Sequence, residues 1–351
     1  MKEWEKYIRK VDPYVPGEQP KLDKMIKLNT NENPYPPAPG VKQVLDQFSV
    51  ESLKMYPDPT SEILVNALAE NYNVDPDQVF VGVGSDDVLG MAFLTFFGSD
   101  KPILFPDITY SFYDVWAKLF QIPFETPALD ENFRIRKEDY YKENGGVIIT
   151  NPNAPTSIYE DLNFIKDILD HNQDVVVIVD EAYIDFGGVS AMELIEEYEN
   201  LLVVQTYSKS RSMAGMRIGY AIGNPKLIHA MNDVKYSYNS YTMNAVTLQA
   251  GVAALKEHIY FEETCDKIVS TREKTKLALK ELGFDFPDSK TNFLFISHKE
   301  VPAKEIFEAL RKENIFVRYF NKPRIDNYLR VTIGTEEEME ALIAFLKGFL
   351  H

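Results

Sequence analysis

From about residue 60 onward, short apolar runs alternate with stretches whose apolar positions recur at helical spacing. The pattern predicts a helix over Ser61–Tyr72 with Ser61 as its cap, then a strand Val79–Val83 running into Gly84-Ser85-Asp86-Asp87. A helix Val88–Phe97, a strand Pro102–Phe105, a helix Tyr110–Phe120, a strand Val147–Thr150 and a helix Glu160–His171 follow. Two further apolar strands, Val175–Val179 and Leu201–Thr206, complete the set. Wholly apolar strands between helices predict an α/β fold on a mostly parallel, doubly wound sheet, with its ligand beyond the carboxyl ends of the strands. The rhythm changes near residue 245. A long helical stretch Asn244–Leu282, a strand Phe293–Ile296, a helix Ala303–Glu313, strands Ile315–Tyr319 and Leu329–Thr332, and a closing helix predict a smaller α+β domain. Pro13, Pro16, Pro20 and the run Asn29-Thr30-Asn31-Glu32-Asn33-Pro34-Tyr35-Pro36-Pro37 resist helix formation, so the start of the chain reads as an extended arm lying on the rest of the subunit or on a partner. The division expected is an arm at 1–40, a large domain at 41–243 and a small domain at 244–351.

Composition narrows the partners. The chain has 351 residues and a formal net charge of −17, which disfavours nucleic acid and anionic membrane surfaces. A basic site must then be local, a few cations around a small anion. The one cysteine, Cys265, excludes an internal disulfide, and His171, His229, His258, His298 and His351 are too scattered for a zinc site, so no metal is expected. The charged start Met1-Lys2-Glu3 is unlike a signal peptide, and apolar runs such as Val175–Val179 fall far short of the ~20 residues of a membrane helix. The cytoplasm is the expected compartment.

The chemistry concentrates after the last apolar strand, in Thr206-Tyr207-Ser208-Lys209-Ser210-Arg211 and the following Ala214-Gly215-Met216-Arg217-Ile218-Gly219-Tyr220. A lysine just past a strand end, desolvated and near other cations, has a lowered pKa and serves as nucleophile and proton carrier. Thr206 and Ser208 offer hydroxyls, and Arg217 a guanidinium, to a phosphate dianion. Another strand delivers Asp180, then Glu181-Ala182-Tyr183. Pyridoxal 5'-phosphate (PLP) needs such an acid against its pyridine nitrogen, because a nearby anion favours the protonated, electron-accepting ring. Tyr183 is placed to hydrogen-bond the ring's phenolic oxygen. Gly84, Ser85 and Asp86, where a strand turns into a helix, present backbone N–H groups as a phosphate seat.

Together these residues resemble the class I/II aminotransferases, PLP enzymes of fold type I, from Asn29 to Gly334. Within them, Pro13-Tyr14-Val15-Pro16-Gly17, Leu28-Asn29-Thr30-Asn31-Glu32-Asn33-Pro34, Tyr56-Pro57-Asp58, Val179-Asp180-Glu181-Ala182-Tyr183 and Leu329-Arg330-Val331-Thr332-Ile333-Gly334 are similar to the branch that acts on histidinol phosphate. The resemblance implies a large domain with a seven-stranded, mostly parallel sheet, and PLP carried on Lys209 as a Schiff base. It implies that Tyr110 stacks on the pyridine face and that Tyr56 reaches the neighbour's cofactor phosphate across a homodimer. Arg330 would hold a carboxylate, or a substrate phosphate together with Arg318 and Tyr14, and Asn33 joins the substrate side. The small-molecule substrates implied are an amino donor bearing a phosphate or carboxylate and a 2-oxo acid acceptor.

One departure stands out. The family's Asn-Asn-Pro-Thr-Gly loop is replaced by Asn153-Ala154-Pro155-Thr156-Ser157, so the asparagine before the proline is lost. Either Asn153 takes over its contact with the phenolic oxygen or Tyr183 holds that oxygen alone. Alternative readings are an aromatic amino-acid aminotransferase, a threonine-phosphate decarboxylase, or a PLP-sensing regulator without turnover.

Overall fold

A computed structural model describes residues 2–15, 17–22 and 24–350; Pro16 of the arm motif and His351 lie outside them. In chain order the first elements are β1 (Ile26–Leu28), α1 (Pro39–Gln47), α2 (Glu62–Tyr72), β2 (Val79–Gly82), α3 (Ser85–Phe96), β3 (Ile103–Leu104), α4 (Tyr113–Phe120) and β4 (Phe124–Glu125). Next come β5 (Gly146–Thr150), α5 (Leu162–Asp170), β6 (Val177–Asp180), β7 (Leu201–Thr206), β8 (Gly219–Gly223) and α6 (Pro225–Tyr238). The chain closes with α7 (Ala245–Leu255), α8 (His258–Glu281), β9 (Phe284–Asp285), β10 (Phe293–His298), α9 (Ala303–Lys312), β11 (Ile315–Tyr319), β12 (Leu329–Thr332) and α10 (Glu336–Leu350).

The first sheet has seven strands in the order β2-β8-β7-β6-β5-β3-β4. Only β8 runs antiparallel to its neighbours. Strands β5, β6 and β7 are buried along their whole length, which is why they read as unbroken apolar runs. The second sheet, β1-β11-β12-β10-β9, is antiparallel apart from the β1–β11 pair. Among the described residues no helix is long and apolar enough to cross a membrane.

Several local expectations need correction. Ser61 does not cap α2: it lies in the left-handed region at φ 56°, and the Asp58 carboxylate accepts the Glu62 amide at 2.7 Å instead. A carboxylate three residues upstream meets the positive helix end better than a serine whose backbone turns away. Helix α3 begins at Ser85 rather than Val88, and α4 at Tyr113 rather than Tyr110, which leaves Tyr110 in the turn before it. The helical stretch Asn244–Leu282 is two helices. Apolar α7 packs on α1 and α2 in the core under the large sheet, whereas α8 packs on α10 and β9. One straight helix cannot serve two cores, so the chain turns at Lys256-Glu257. Strands β4 and β8 went unread, and the arm contributes β1, an edge strand paired in parallel with β11.

Candidate active site

The floor of the site is made by strand ends. In register, Thr150 at the end of β5 lies beside Asp180 at the end of β6. The preceding Val-Ile-Val of β6 is apolar on both faces, so the strand is anchored in the core and delivers Asp180 into the crevice. Asp180 is buried; its Oδ2 accepts the Tyr113 hydroxyl at 2.6 Å and its Oδ1 the Ala182 amide at 3.3 Å. Burial pushes its carboxyl up to about 6, against the opposing pull of the Tyr113 hydroxyl.

Lys209 follows β7 by three residues. The intervening turn is held by the Thr206 hydroxyl, which accepts the Ser208 amide at 3.1 Å and lies 3.0 Å from the Ser208 hydroxyl. The lysine Nζ donates to the Thr30 carbonyl at 3.2 Å. Burial, then the nearby charge of Arg330, brings its pKa down to about 8. Its neutral, nucleophilic form therefore predominates above about pH 8.

A third wall comes from the β2-to-α3 turn. Gly84 sits at φ +82°, and a Cβ there would lie 2.5 Å from an Arg217 Nη atom. Gly219 on β8 is equally constrained, since its Cβ would fall 2.2 Å from the Gly84 carbonyl carbon. The two glycines let β8, the turn and Arg217 close around the start of α3. Asp86 links both sides of this wall: Arg217 Nη2 is 3.2 Å from its Oδ2, and the Tyr110 hydroxyl donates to its Oδ1 at 2.7 Å.

The arm closes the site. Four consecutive residues form a strap in which three meet functional groups directly. The Asn29 carbonyl accepts Arg330 Nη2 at 2.9 Å, the Thr30 carbonyl accepts Lys209, and Asn31 Nδ2 donates to the Tyr183 hydroxyl at 3.0 Å. Asn31 is itself held by Thr332 Oγ1, which accepts its amide at 3.0 Å. The fourth, Glu32, lines the cavity. Its volume is about 190 Å³, bounded by the strap, Ser85, Asp86, Tyr110, Thr150, Asp180, Tyr183, Thr206, Ser208, Lys209 and Arg217, with Ala154, Ala182 and Ala214 as apolar wall.

The cavity thus brings together most of the residues named from sequence. Asn153 is the clear exception. Its Nδ2 donates to the Ile108 carbonyl and Thr156 Oγ1, both at 2.9 Å, and its Oδ1 accepts Thr109 Oγ1 at 2.7 Å. A buried amide with both N–H donors given to Ile108 and Thr156 has no donor left to aim at a ligand. Ala154 lines the cavity in its place, together with Tyr183. Asn33 also turns aside: its Nδ2 donates to the carbonyls of Lys209 and Ser210 at 3.0 and 3.2 Å, bracing the lysine loop.

Arg318 and Arg330 are paired across β11 and β12, so their side chains leave the same face of the sheet. Arg330 Nε is buried without a hydrogen-bond partner among the described residues. Tyr14 stacks on Phe112 at 4.5 Å and lies 6.5 Å from Tyr110. These three stand beside the cavity rather than in its wall. Tyr56 is 82% exposed, and its ring lies beside that of Tyr241 with centroids 4.7 Å apart. Sequence reading missed Thr30, Glu32, Thr150 and Tyr113. Tyr113 had a signal, three residues after Tyr110 in the same aromatic run; Thr150 looked like any strand end.

Comparison with known proteins gives the family. Residues 23–346 match the family model described as aminotransferase class I and II. A histidinol-phosphate aminotransferase of Clostridium botulinum is 50% identical over 350 residues, covering 100% of this chain and 99% of its own. One from Clostridium acetobutylicum is 52% identical over 344 residues, covering 98% of each chain. The fold is shared with the crystal structure of histidinol-phosphate aminotransferase from Sinorhizobium meliloti in complex with pyridoxal-5'-phosphate, at a TM-score of 0.85, 22% identity and coverage of 93% of this chain and 91% of that one. The chain belongs to the class I and II aminotransferase family.

Proposed function

We propose that this protein is a PLP-dependent histidinol-phosphate aminotransferase of histidine biosynthesis, moving an amino group between L-histidinol phosphate and 2-oxoglutarate. The observation that carries the reading is the sharing of one cavity by the Lys209 amine and the Asp180 carboxylate, with a helix N-terminus and Arg217 in its wall. Full-length relatives near 50% identity support the substrate.

The residues present fit the cofactor. The amides of Ser85 and Asp86 open α3 and have no carbonyl one turn back to accept them, so they are free for a phosphate. The space a Gly84 side chain would fill is taken by the Arg217 guanidinium, which adds a cation to that seat. Thr206 and Ser208 bring hydroxyls to the same cavity. PLP, when bound, supplies an aldehyde and an electron-accepting ring. Asp180 then holds a proton at the ring nitrogen, with Tyr113 fixing the carboxylate's orientation. Tyr110 covers the ring face, its hydroxyl anchored on Asp86. Tyr183, oriented by Asn31, donates to the phenolic oxygen. The Lys209 amine would serve as the general base and acid that moves the proton of the donor carbon. Arg330, with Arg318 and Tyr14, receives the substrate phosphate; the unpartnered Nε of Arg330 is a donor in waiting.

The working unit on this reading is a homodimer, because Tyr56 has no role in its own chain's cavity and is exposed for a neighbour's. The test is half-reaction kinetics with histidinol phosphate, phenylalanine and glutamate. Fast reaction with histidinol phosphate and glutamate and slow reaction with phenylalanine is expected. Preference for phenylalanine would make the protein an aromatic aminotransferase, and release of carbon dioxide from threonine phosphate would make it a decarboxylase.

A further inference from the structure

Glu32 is a carboxylate in the cavity wall with no part in the chemistry described above. It is held from behind. Its Oε2 accepts both Lys27 Nζ and Thr30 Oγ1, the latter at 2.6 Å. Lys27 belongs to β1, which is paired with β11, so the carboxylate is tied to the small sheet and not left to swing. Oε1 receives no hydrogen bond among the described residues. Burial pushes the carboxyl up, but the hydrogen bonds from Lys27 and Thr30 outweigh it and hold it below its ordinary range.

The position is selective. Thr30, whose hydroxyl holds Glu32, gives its carbonyl to Lys209, so one residue ties the carboxylate and the reacting amine to the same cavity. A donor bound with its amine at Lys209 and its anion at Arg330 has one substituent left to place. For an amino acid such as glutamate that substituent carries no N–H and gains no hydrogen bond from Glu32. An N–H-bearing heteroaromatic ring instead finds a fixed acceptor. The carboxylate is half-buried and fixed from behind by Lys27 and Thr30, so a ligand that brings an N–H gains a placed acceptor and one without it forgoes that bond.

We infer that Glu32 is a specificity-determining residue, accepting a hydrogen bond through Oε1 from the ring N–H of the amino donor, with Lys27 and Thr30 as its positioning residues. The inference rests on the functional reading above and deepens it. The experiment compares wild type, Glu32→Gln and Glu32→Ala as PLP-loaded enzymes in single half-reactions with histidinol phosphate and with glutamate. For histidinol phosphate, kcat/KM is expected to fall about tenfold in Glu32→Gln and up to about a hundredfold in Glu32→Ala. The glutamate half-reaction is expected to hold or quicken, and the absorption spectrum of bound PLP to stay unchanged. Equal losses with both donors, a shifted PLP spectrum, or no loss with either would overturn the assignment of Glu32 while leaving the enzyme's reaction standing. A wild-type protein that reacts with glutamate but not with histidinol phosphate would overturn that reaction, and the assignment with it.

Discussion

The two sides of the site are built differently. On the large-sheet side, Asp180, Thr206 and Lys209 sit at or just beyond the ends of strands buried along their full length. Their partners, Tyr113 and Ser208, are neighbours in the same layer. On the arm side, Tyr14 comes from the arm, Glu32 from the strap, and Arg318 and Arg330 from the small sheet; Arg330 donates to a backbone carbonyl, Tyr14 stacks on Phe112 and Glu32 is ion-paired to Lys27. Tyr56 is exposed altogether. The difference separates two tasks. Atoms that move protons must be held rigidly, and a packed parallel sheet does that. The groups we propose to choose between donors sit on the strap and on β11 and β12, anchored in a second core through Leu28, Val317, Leu329 and Val331.

That contrast can be broken by mutation. The largest effect is expected from Lys209→Ala, which removes the proton carrier: turnover should fall by at least about a thousandfold while PLP still binds weakly. Multiple turnovers in stopped-flow assays would sink the role of Lys209. Asp180→Asn should lower kcat on the order of a hundredfold with little change in KM, since it acts through the ring nitrogen and not on the substrate. A change confined to KM would move Asp180 to the binding side. Arg330→Ala should do the reverse, raising KM for histidinol phosphate by about a hundredfold through loss of a forked cation–phosphate contact.

A smaller effect sharpens the picture of Lys209. Because burial lowers its pKa to about 8, its protonated form dominates below that pH and cannot attack an aldehyde. The rate at which PLP-free protein takes up PLP should rise with pH and level off above about 8, read from absorbance after mixing. A rate still climbing steeply near pH 10 would mean an ordinary, solvated lysine. The mildest change is expected for Tyr56→Phe, roughly a tenfold weaker hold on PLP. Mixing Tyr56→Ala with Lys209→Ala chains should recover activity above that of either alone if sites are shared between subunits, and recover none if each chain is self-sufficient.

The strands of the large sheet were legible because burial on both faces demands continuous apolar runs, and β5, β6 and β7 have them. Strand β4 has two residues and β8 begins and ends in glycine, so neither shows a periodic signal. The break between α7 and α8 was invisible for another reason. Neither glycine nor proline marks it; the chain turns because the two helices answer to different cores.

By itself, then, the sequence determined the parallel sheet, the strand-end placement of Asp180 and Lys209, and the glycine turn before α3. Each follows from local patterning or backbone sterics. Only the tertiary structure decided which polar side chains face the cavity. Asn153 and Asn33 carry the same amide as Asn31, yet the first is taken up by the Ile108-Thr109 segment, the second braces the lysine turn, and the third reaches Tyr183. An amide goes to whatever donors and acceptors the fold brings within about 3 Å. That is a property of contacts between distant segments, and no spacing along the chain encodes it.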